Sequence, residues 1–372
     1  MKILLVEPYL AGSHDAWARE YAAVSAHGVE TLGLPGRHWK WRMHGGAVTL
    51  ARRFIEEGHR PDLILATDML DLTTFHALTR RNTAGIPAAI YFHENQLSYP
   101  WSSQDADPSL GRDAHYGFIN YSSALAADAV LFNSAYHRDS FLGALPGFLA
   151  QFPDHDERES VDTIAAKSSV LPLGIDLAAL DRHRTEREEG APPLILWNHR
   201  WEYDKNPEDF FRALFELADE GLAFEVAVLG EAFAKYPPVF DEARERLGAR
   251  IVQFGYARDP AEYARWLWRA DLLPVTSDHD FFGASAVQAI WCGCRPLLPR
   301  RLAFPEHIQP DLHGEYLYDG FDDLVARLRA RLREPCAPAP AGLRAYLARY
   351  DWGVLAGQYD RIFSGIRAGG TV

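Results

Sequence analysis

Pro193-Leu194-Ile195-Leu196-Trp197-Asn198-His199-Arg200-Trp201-Glu202-Tyr203-Asp204-Lys205-Asn206-Pro207 is an apolar run, then a polar loop, then a proline. The residues that follow, Glu208 to Leu214, have helical spacing. The pattern predicts strand, loop and helix. Asn206 suits the N-cap and Pro207 the first helical position. Arg200 and Lys205 then lie where a strand ends and a helix begins. Backbone N–H groups and two cations converge on such a loop, which suits a diphosphate. The same residues are also compatible with an ordinary charged surface loop.

Working outward, the second half keeps alternating. Strands are predicted at 224–229, 250–254, 272–275 and 295–298, and helices at 238–247, 260–270 and 284–291. Strict alternation implies a parallel sheet with helices on both faces, because parallel neighbours need crossovers. The first half reads the same way. It has strands at 2–7, 62–67, 88–92 and 129–132, and helices opening near Ser13, Asp68, Gly117 and Ser134. Ser13 or Asp15 could cap the first helix, and Gly12 lets backbone approach a ligand. No G-x-G-x-x-G is present, so dinucleotide binding is unsupported. The expected class is α/β, with two Rossmann-like domains facing across a cleft. The linker is expected near residues 180–192, after a charged, poorly periodic stretch.

A chain of 372 residues that is 48% hydrophobic can bury two cores. No run of about 18 apolar residues suggests a membrane span. Glu7 and Pro8 come too early for a signal peptide. Cys292, Cys294 and Cys336 are the only cysteines. They suit a reducing cytoplasm. Cys292-Gly293-Cys294 could be a metal pair, but no further ligand pair has zinc spacing, which favours small buried residues at a helix end.

The net charge of -13 lowers the expectation of a nucleic-acid partner. Charge is local, however. Six cations (Arg37, Lys40, Arg42, Arg52, Arg53 and Arg60) fall between Pro35 and Arg60, against Glu56 and Glu57. Within them, Arg37-His38-Trp39-Lys40-Trp41-Arg42 interleaves cations with indoles. That composition can contact phosphates and stack bases; it can equally be a solvated loop whose tryptophans plug the domain. The strand at 88–92 delivers His93-Glu94-Asn95-Gln96 at its C-terminal end, where open α/β sheets place ligands. Asp278-His279-Asp280-Phe281-Phe282-Gly283-Ala284-Ser285 opens a helix that carries Gln288. Small residues there expose N–H groups to an anion. Asp278-His279-Asp280 also fits a weak D-x-D metal pattern. No metal is required once two cations and a helix terminus counter the phosphates.

These motifs carry a resemblance. The second half resembles the donor domain of family-4 retaining glycosyltransferases of the GT-B fold. Arg200 and Lys205 match the family's Arg and Lys. Asp280, Phe282-Gly283 and Gln288-Ala289 align with its E-x7-E motif, with both glutamates replaced. His93 matches the family's histidine after an N-terminal strand, and Tyr350-Asp351-Trp352 resembles the segment that crosses back to the first domain. A narrower resemblance rests on His93-Glu94-Asn95-Gln96-Leu97, Trp197 to Glu202, Asp280 to Gly283 and Trp39 to Arg42. It is to the glycosyltransferase-like family that contains tRNA-queuosine α-mannosyltransferase. The domains so implied are 1–185 for the acceptor, 192–350 for the nucleotide sugar, and a returning helix at 351–372.

The resemblance implies mannose transfer from GDP-mannose, with retention, to queuosine in the anticodon of an aspartate tRNA, in the cytoplasm and with no cofactor or metal. His93, Asp280, Arg200 and Lys205 would be catalytic. Gly12, Ser13, Asn198, Tyr256, Phe282, Gly283, Ala284, Ser285 and Gln288 would bind the donor. His14, Trp39, Lys40, Trp41, Arg42, Glu94, Asn95 and Gln96 would face the acceptor. Front-side departure is preferred over a double displacement, since no second carboxylate is placed as nucleophile. His14 and His93 could instead be satisfied structural histidines. Two further readings stay open: a family-4 transferase acting on a lipid or metabolite, and a non-catalytic RNA-binding relative. Oligomeric state is not legible.

Overall fold

The computed structural model describes residues 1–102, 105–110, 112–186, 190–232, 235–334 and 338–370. The chain divides into two compact units. One is Met1–Ile175 with Trp352–Val372, and the other is Asp176–Asp351.

The first unit is built from β1 (Lys2–Leu10), α1 (Gly12–Val24), β2 (Gly28–Pro35), α2 (Trp39–Glu56), β3 (Leu63–Thr67), α3 (Leu72–Thr83), β4 (Ala88–Phe92), α4 (Ala114–Ala126), β5 (Ala129–Phe132), α5 (Ala135–Leu149), α6 (Ser160–Ala166) and β6 (Ser168–Val170). The strands form one sheet in the order β2-β1-β3-β4-β5-β6, every pairing parallel. The inner strands β3, β4 and β5 are buried along their whole length, which is why they read as unbroken apolar runs.

The second unit holds α7 (Leu177–Asp181), β7 (Leu194–Trp197), α8 (Pro207–Asp219), β8 (Glu225–Val228), α9 (Val239–Leu247), β9 (Ile251–Phe254), α10 (Pro260–Arg269), β10 (Leu272–Pro274), α11 (Ala284–Trp291), β11 (Arg295–Pro299), α12 (His313–Tyr316), β12 (Leu317–Tyr318), α13 (Phe321–Arg333) and α14 (Ala341–Leu347). Its sheet order is β12-β11-β10-β7-β8-β9, again all parallel. The last helix, α15 (Trp352–Arg367), belongs to the first unit. There Asp360 accepts from Tyr21, Ser25 and the Ala26 N–H, and Tyr359 packs beside Trp17 and Tyr21.

Four sequence expectations change. The boundary falls between Ile175 and Asp176, not within 180–192. Trp268 donates to the Leu180 carbonyl, and Asp181 accepts from Trp291 and Arg344, so this stretch is tied into the second unit. Residues 187–189 of the expected linker lie outside the described residues. β2 was not foreseen: it is an edge strand whose only buried residue is Leu32, so its apolar signal is weak. Residues 39–56 form a helix rather than a loop. Met43, Ala47, Leu50 and Phe54 supply its buried stripe, and Gly45-Gly46 masks it in sequence. The N-cap of α1 is Ala11, and neither Ser13 nor Asp15 caps it. The helix runs from Gly12, which itself takes φ +53°, and so both residues lie inside its first turn. Cys292 and Cys294 are buried, and the Cys294 thiol points at the Leu267 and Ala270 carbonyls; Cys336 lies outside the described residues.

Candidate functional site

In the second unit, β7 ends at Trp197, and the loop beyond it is nailed down by aromatic packing. The Trp201 ring stacks on Phe240 at 4.2 Å, and Trp197 packs edge-on against Phe210. Such pairs add about 0.5–1.5 kcal/mol each beyond burial. Asn206 sits at φ 49° and its side chain accepts from the Asp209 N–H, the cap expected before Pro207.

This scaffold fixes Lys205, which is only 9% exposed. Its Nζ lies 2.9 Å from the His279 carbonyl, 3.3 Å from Asp280 Oδ2 and 3.0 Å from Asp204 Oδ2. Burial works against the ammonium charge, but Asp280 and Asp204 outweigh it, and the pKa rises. Asp280 shows the mirror case. Burial raises its pKa, yet Lys205, His199 and the Phe282 N–H bring it below the usual carboxylate range. Burial, then the Lys205 charge, push His199 and His279 down to about 4, so both are neutral at pH 7. Arg200 is half-exposed and pairs with Glu202 at 3.0 Å.

The N-terminus of α11 adds N–H groups that no helix can satisfy internally. Gly283 caps it at φ +86°, where a Cβ would come within 2.9 Å of Phe304. Glycine is required there on both counts. His199 Nδ1 meets Ser285 Oγ at 3.0 Å, and Asn198 donates to the Ser285 carbonyl at 2.8 Å. Asn198 Oδ1 and His199 Nε2 are buried with no hydrogen-bond partner among the described residues. Buried polar atoms in that state are what a ligand is expected to satisfy. Gln288 is half-buried one helical stretch further, and Tyr256, just past β9, is 73% exposed.

In the first unit, side chains gather at the C-terminal ends of β1, β3 and β4. Glu7 Oε1 accepts the Tyr9 N–H, and Oε2 holds His14 Nδ1 at 2.8 Å. Burial lowers the His14 pKa, but the Glu7 carboxylate reverses this and raises it to about 9. The stability contributed by this pair is whole below about pH 6.5 and is lost as pH rises through about 9. The His14 and His93 rings lie 4.2 Å apart. His93 is buried, and desolvation followed by the His14 charge keep it neutral. Asp68 Oδ1 accepts its backbone N–H at 2.8 Å, and its Nε2 has no partner among the described residues. Glu94 and Gln96 are half-buried and joined at 2.9 Å. Asn95 is fully buried; its Oδ1 accepts from the Leu97 and Ser98 N–H groups and from Ser98 Oγ, and its Nδ2 has no hydrogen-bond partner among the described residues. Gly12 and Ser13 are exposed at the start of α1.

The basic segment is only partly available. Lys40 is held by Asp105 and Asp107 at 2.7 and 2.5 Å, and Trp39 packs on Trp101 and Tyr116. The fold therefore consumes both. What remains outward is Trp41, 65% exposed, with Arg37, and Arg42, whose Nε donates to the Pro35 carbonyl.

The two aspartates of the D-x-D pattern are each engaged in an ion pair. Asp278 pairs with Arg301 at 2.8 Å and Asp280 with Lys205, so each carboxylate has its own cation. Among the described residues, Glu7, His14 and His93 form a group whose donor atoms lie within 4.8 Å. Within that group, Glu7 and His14 are already joined by a hydrogen bond.

Sequence reasoning missed Glu7, Asp68, His199 and Tyr263. The first two could have been found: an acid inside or ending an apolar strand, as in Val6-Glu7 and Thr67-Asp68, is costly unless it has a partner.

Two all-parallel α/β units, one presenting a buried lysine and a glycine-started helix, make a GT-B fold. The comparisons agree. Sucrose-phosphate synthase from Thermosynechococcus elongatus superposes with a TM-score of 0.73 at 14% identity, over 100% of both chains. Anabaena HepE in complex with UDP gives 0.67 at 16%, over 98% and 100%. The N-terminal model of the tRNA-queuosine alpha-mannosyltransferase family matches residues 2–175. A tRNA-queuosine alpha-mannosyltransferase of Drosophila melanogaster is 34% identical over 341 residues, covering 90% of this chain and 87% of that one. A GDP-mannose-dependent alpha-(1-6)-phosphatidylinositol dimannoside mannosyltransferase of Mycobacterium tuberculosis is 25% identical over 319 residues, covering 82% and 75%. The chain belongs to the tRNA-queuosine alpha-mannosyltransferase family. No described helix is long and apolar enough to cross a membrane.

Proposed function

We propose that this chain transfers mannose from GDP-mannose, with retention, to the queuosine of an aspartate tRNA in the cytoplasm. One observation carries the choice of acceptor. The family model named for the queuosine enzyme matches residues 2–175, the unit read here as the acceptor side. In the second unit, Lys205, Arg200 and the N–H groups of Ala284 and Ser285 stabilise the leaving diphosphate. Tyr256 stacks on guanine and Gln288 holds ribose. Asp280, locked by Lys205 and the Phe282 N–H, accepts from a sugar hydroxyl, and Asn198 supports that loop. In the first unit, neutral His93 offers Nε2 to a sugar hydroxyl, and Glu94 and Gln96 face the acceptor. Because Asp280 is held as a hydrogen-bond acceptor, front-side departure fits better than attack by an enzyme carboxylate. The test offers labelled GDP-mannose with tRNA from cells that can and cannot make queuosine. Label in the first pool alone is expected. Equal labelling of both, or labelling of a lipid or metabolite instead, overturns the assignment.

Transfer should survive EDTA, because the diphosphate charge is met by Lys205, Arg200 and a helix terminus. A rate abolished by chelation and restored only by added Mg²⁺ or Mn²⁺ would contradict this.

The acceptor surface on α2 narrows to Trp41. A Cβ on Gly45 would come within 2.7 Å of the indole, so the ring lies over that glycine with its other face exposed. A base stacked there is worth roughly 1–3 kcal/mol. Trp41→Ala should raise the KM for tRNA about 5- to 100-fold, with the KM for GDP-mannose unmoved. Gly45→Ala, which displaces the ring, should push in the same direction. Unchanged KM values in both variants would remove α2 from the tRNA surface.

A further inference from the structure

The second unit contains a hydrogen-bond relay that diphosphate binding does not require. Asn198 stands just beyond β7, Tyr263 on α10 and Gln288 on α11. Asn198 Nδ2 donates to the Ser285 carbonyl at 2.8 Å and to the Tyr263 hydroxyl oxygen at 3.3 Å. Tyr263 donates onward to Gln288 Oε1 at 3.0 Å. The direction follows from giving each group a partner. An amide nitrogen only donates, so the tyrosine oxygen accepts, and its single O–H is left for Gln288. Burial reinforces this by holding the Tyr263 pKa well above the usual range, so the hydroxyl keeps its proton.

A glutamine side chain is not symmetric. With Oε1 held by Tyr263, the Nε2 end, carrying two N–H donors, is turned away from α10. A glutamate would offer a second acceptor oxygen at the same place. The amide offers donors instead, and Gln288 is accessible enough to use them.

We propose that Tyr263 is a positioning residue that locks the Gln288 amide with its NH₂ group toward the ribose of the bound nucleoside diphosphate. This chain then reads ribose hydroxyl oxygens as hydrogen-bond acceptors. The inference rests on Gln288 being the ribose contact. The relay fixes one orientation of the amide. A nucleotide without ribose hydroxyls forfeits those hydrogen bonds.

The test uses calorimetric titration of the full chain with GDP and with 2′,3′-dideoxyGDP, for wild type, Tyr263→Phe, Gln288→Ala and the double variant. The readout is the ratio of the two affinities, because a general disturbance of the unit weakens both alike. Wild type should prefer GDP by about 10-fold. Gln288→Ala should reduce the preference to near unity. Tyr263→Phe keeps the ring and removes only the hydroxyl, and should bring the preference most of the way to the Gln288→Ala value. The double variant should match Gln288→Ala, since the two residues act as one unit. If Gln288→Ala loses the preference while Tyr263→Phe retains it, the positioning role is overturned and the ribose contact stands. If Gln288→Ala keeps the preference, the ribose contact itself fails and takes the proposal with it. If Tyr263→Phe weakens both nucleotides equally, the tyrosine is structural and the proposal is wrong.

Discussion

Lys205→Ala should slow mannose transfer by on the order of 10²–10³-fold. The ammonium is buried, and it bonds to Asp280, Asp204 and the His279 carbonyl. Its removal takes a charge-assisted contact from the leaving diphosphate. It also leaves two carboxylates in a dry site without their cation, which is more damaging than losing an exposed pair. Arg200→Ala removes a similar phosphate contact and belongs to the same range, at its lower end, because Arg200 is half-exposed and solvent screens it. Lys205→Arg should not restore activity, since a guanidinium cannot enter a space fitted to one nitrogen. Lys205→Ala and Asp280→Ala together should cost less than the sum of the two, because each single change breaks the same pair. The measurement is single-turnover transfer, with thermal melts to show that each variant is folded. Near-normal rates in folded Lys205→Ala and Arg200→Ala protein would end the phosphate-loop reading.

His93→Ala should lower kcat on the order of 10²-fold, with GDP affinity little changed. His93 is buried, neutral, and carries an Nε2 that no described residue satisfies. Desolvation and the charged His14 ring beside it both hold it in that state. A neutral imidazole that can donate or accept is suited to a sugar hydroxyl. A charged one would add cost as the sugar ring gains positive charge. The loss should appear in kcat, since the hydroxyl contact matters most when the ring flattens toward the oxocarbenium ion. His93→Gln retains a donor and should recover part of the rate. A His93→Ala enzyme with normal kcat would assign the residue to packing against Trp17 and Tyr91, its other neighbours.

The parallel sheets, the loop after β7 and the cap at Asn206-Pro207 were legible because each depends on a local signal. Apolar runs of four to six residues mark strands buried on both faces, and asparagine before proline marks a helix start. That Lys205 and Asp280 stand in loops between a strand and a helix was also legible. Their pairing was not, because 75 residues separate them and only the order β10-β7-β8 brings the two loops side by side. The same reason hid the relay from Asn198 through Tyr263 to Gln288. Each residue is ordinary in sequence, and the hydrogen bonds run between separate elements. The basic stretch at 37–42 shows the opposite outcome. Composition alone made Trp39, Lys40, Trp41 and Arg42 look equivalent. The helical rise of α2 turns Trp39 and Lys40 inward, onto Tyr116 and the Asp105–Asp107 loop, and turns Trp41 out. Sequence by itself determined the fold class, because strand burial and turn residues are short-range properties, and the family, because its motifs are contiguous stretches. Which charges are neutralised, which rings are exposed and which way an amide points were decided by tertiary structure, because those depend on partners that the chain brings together only when each unit folds.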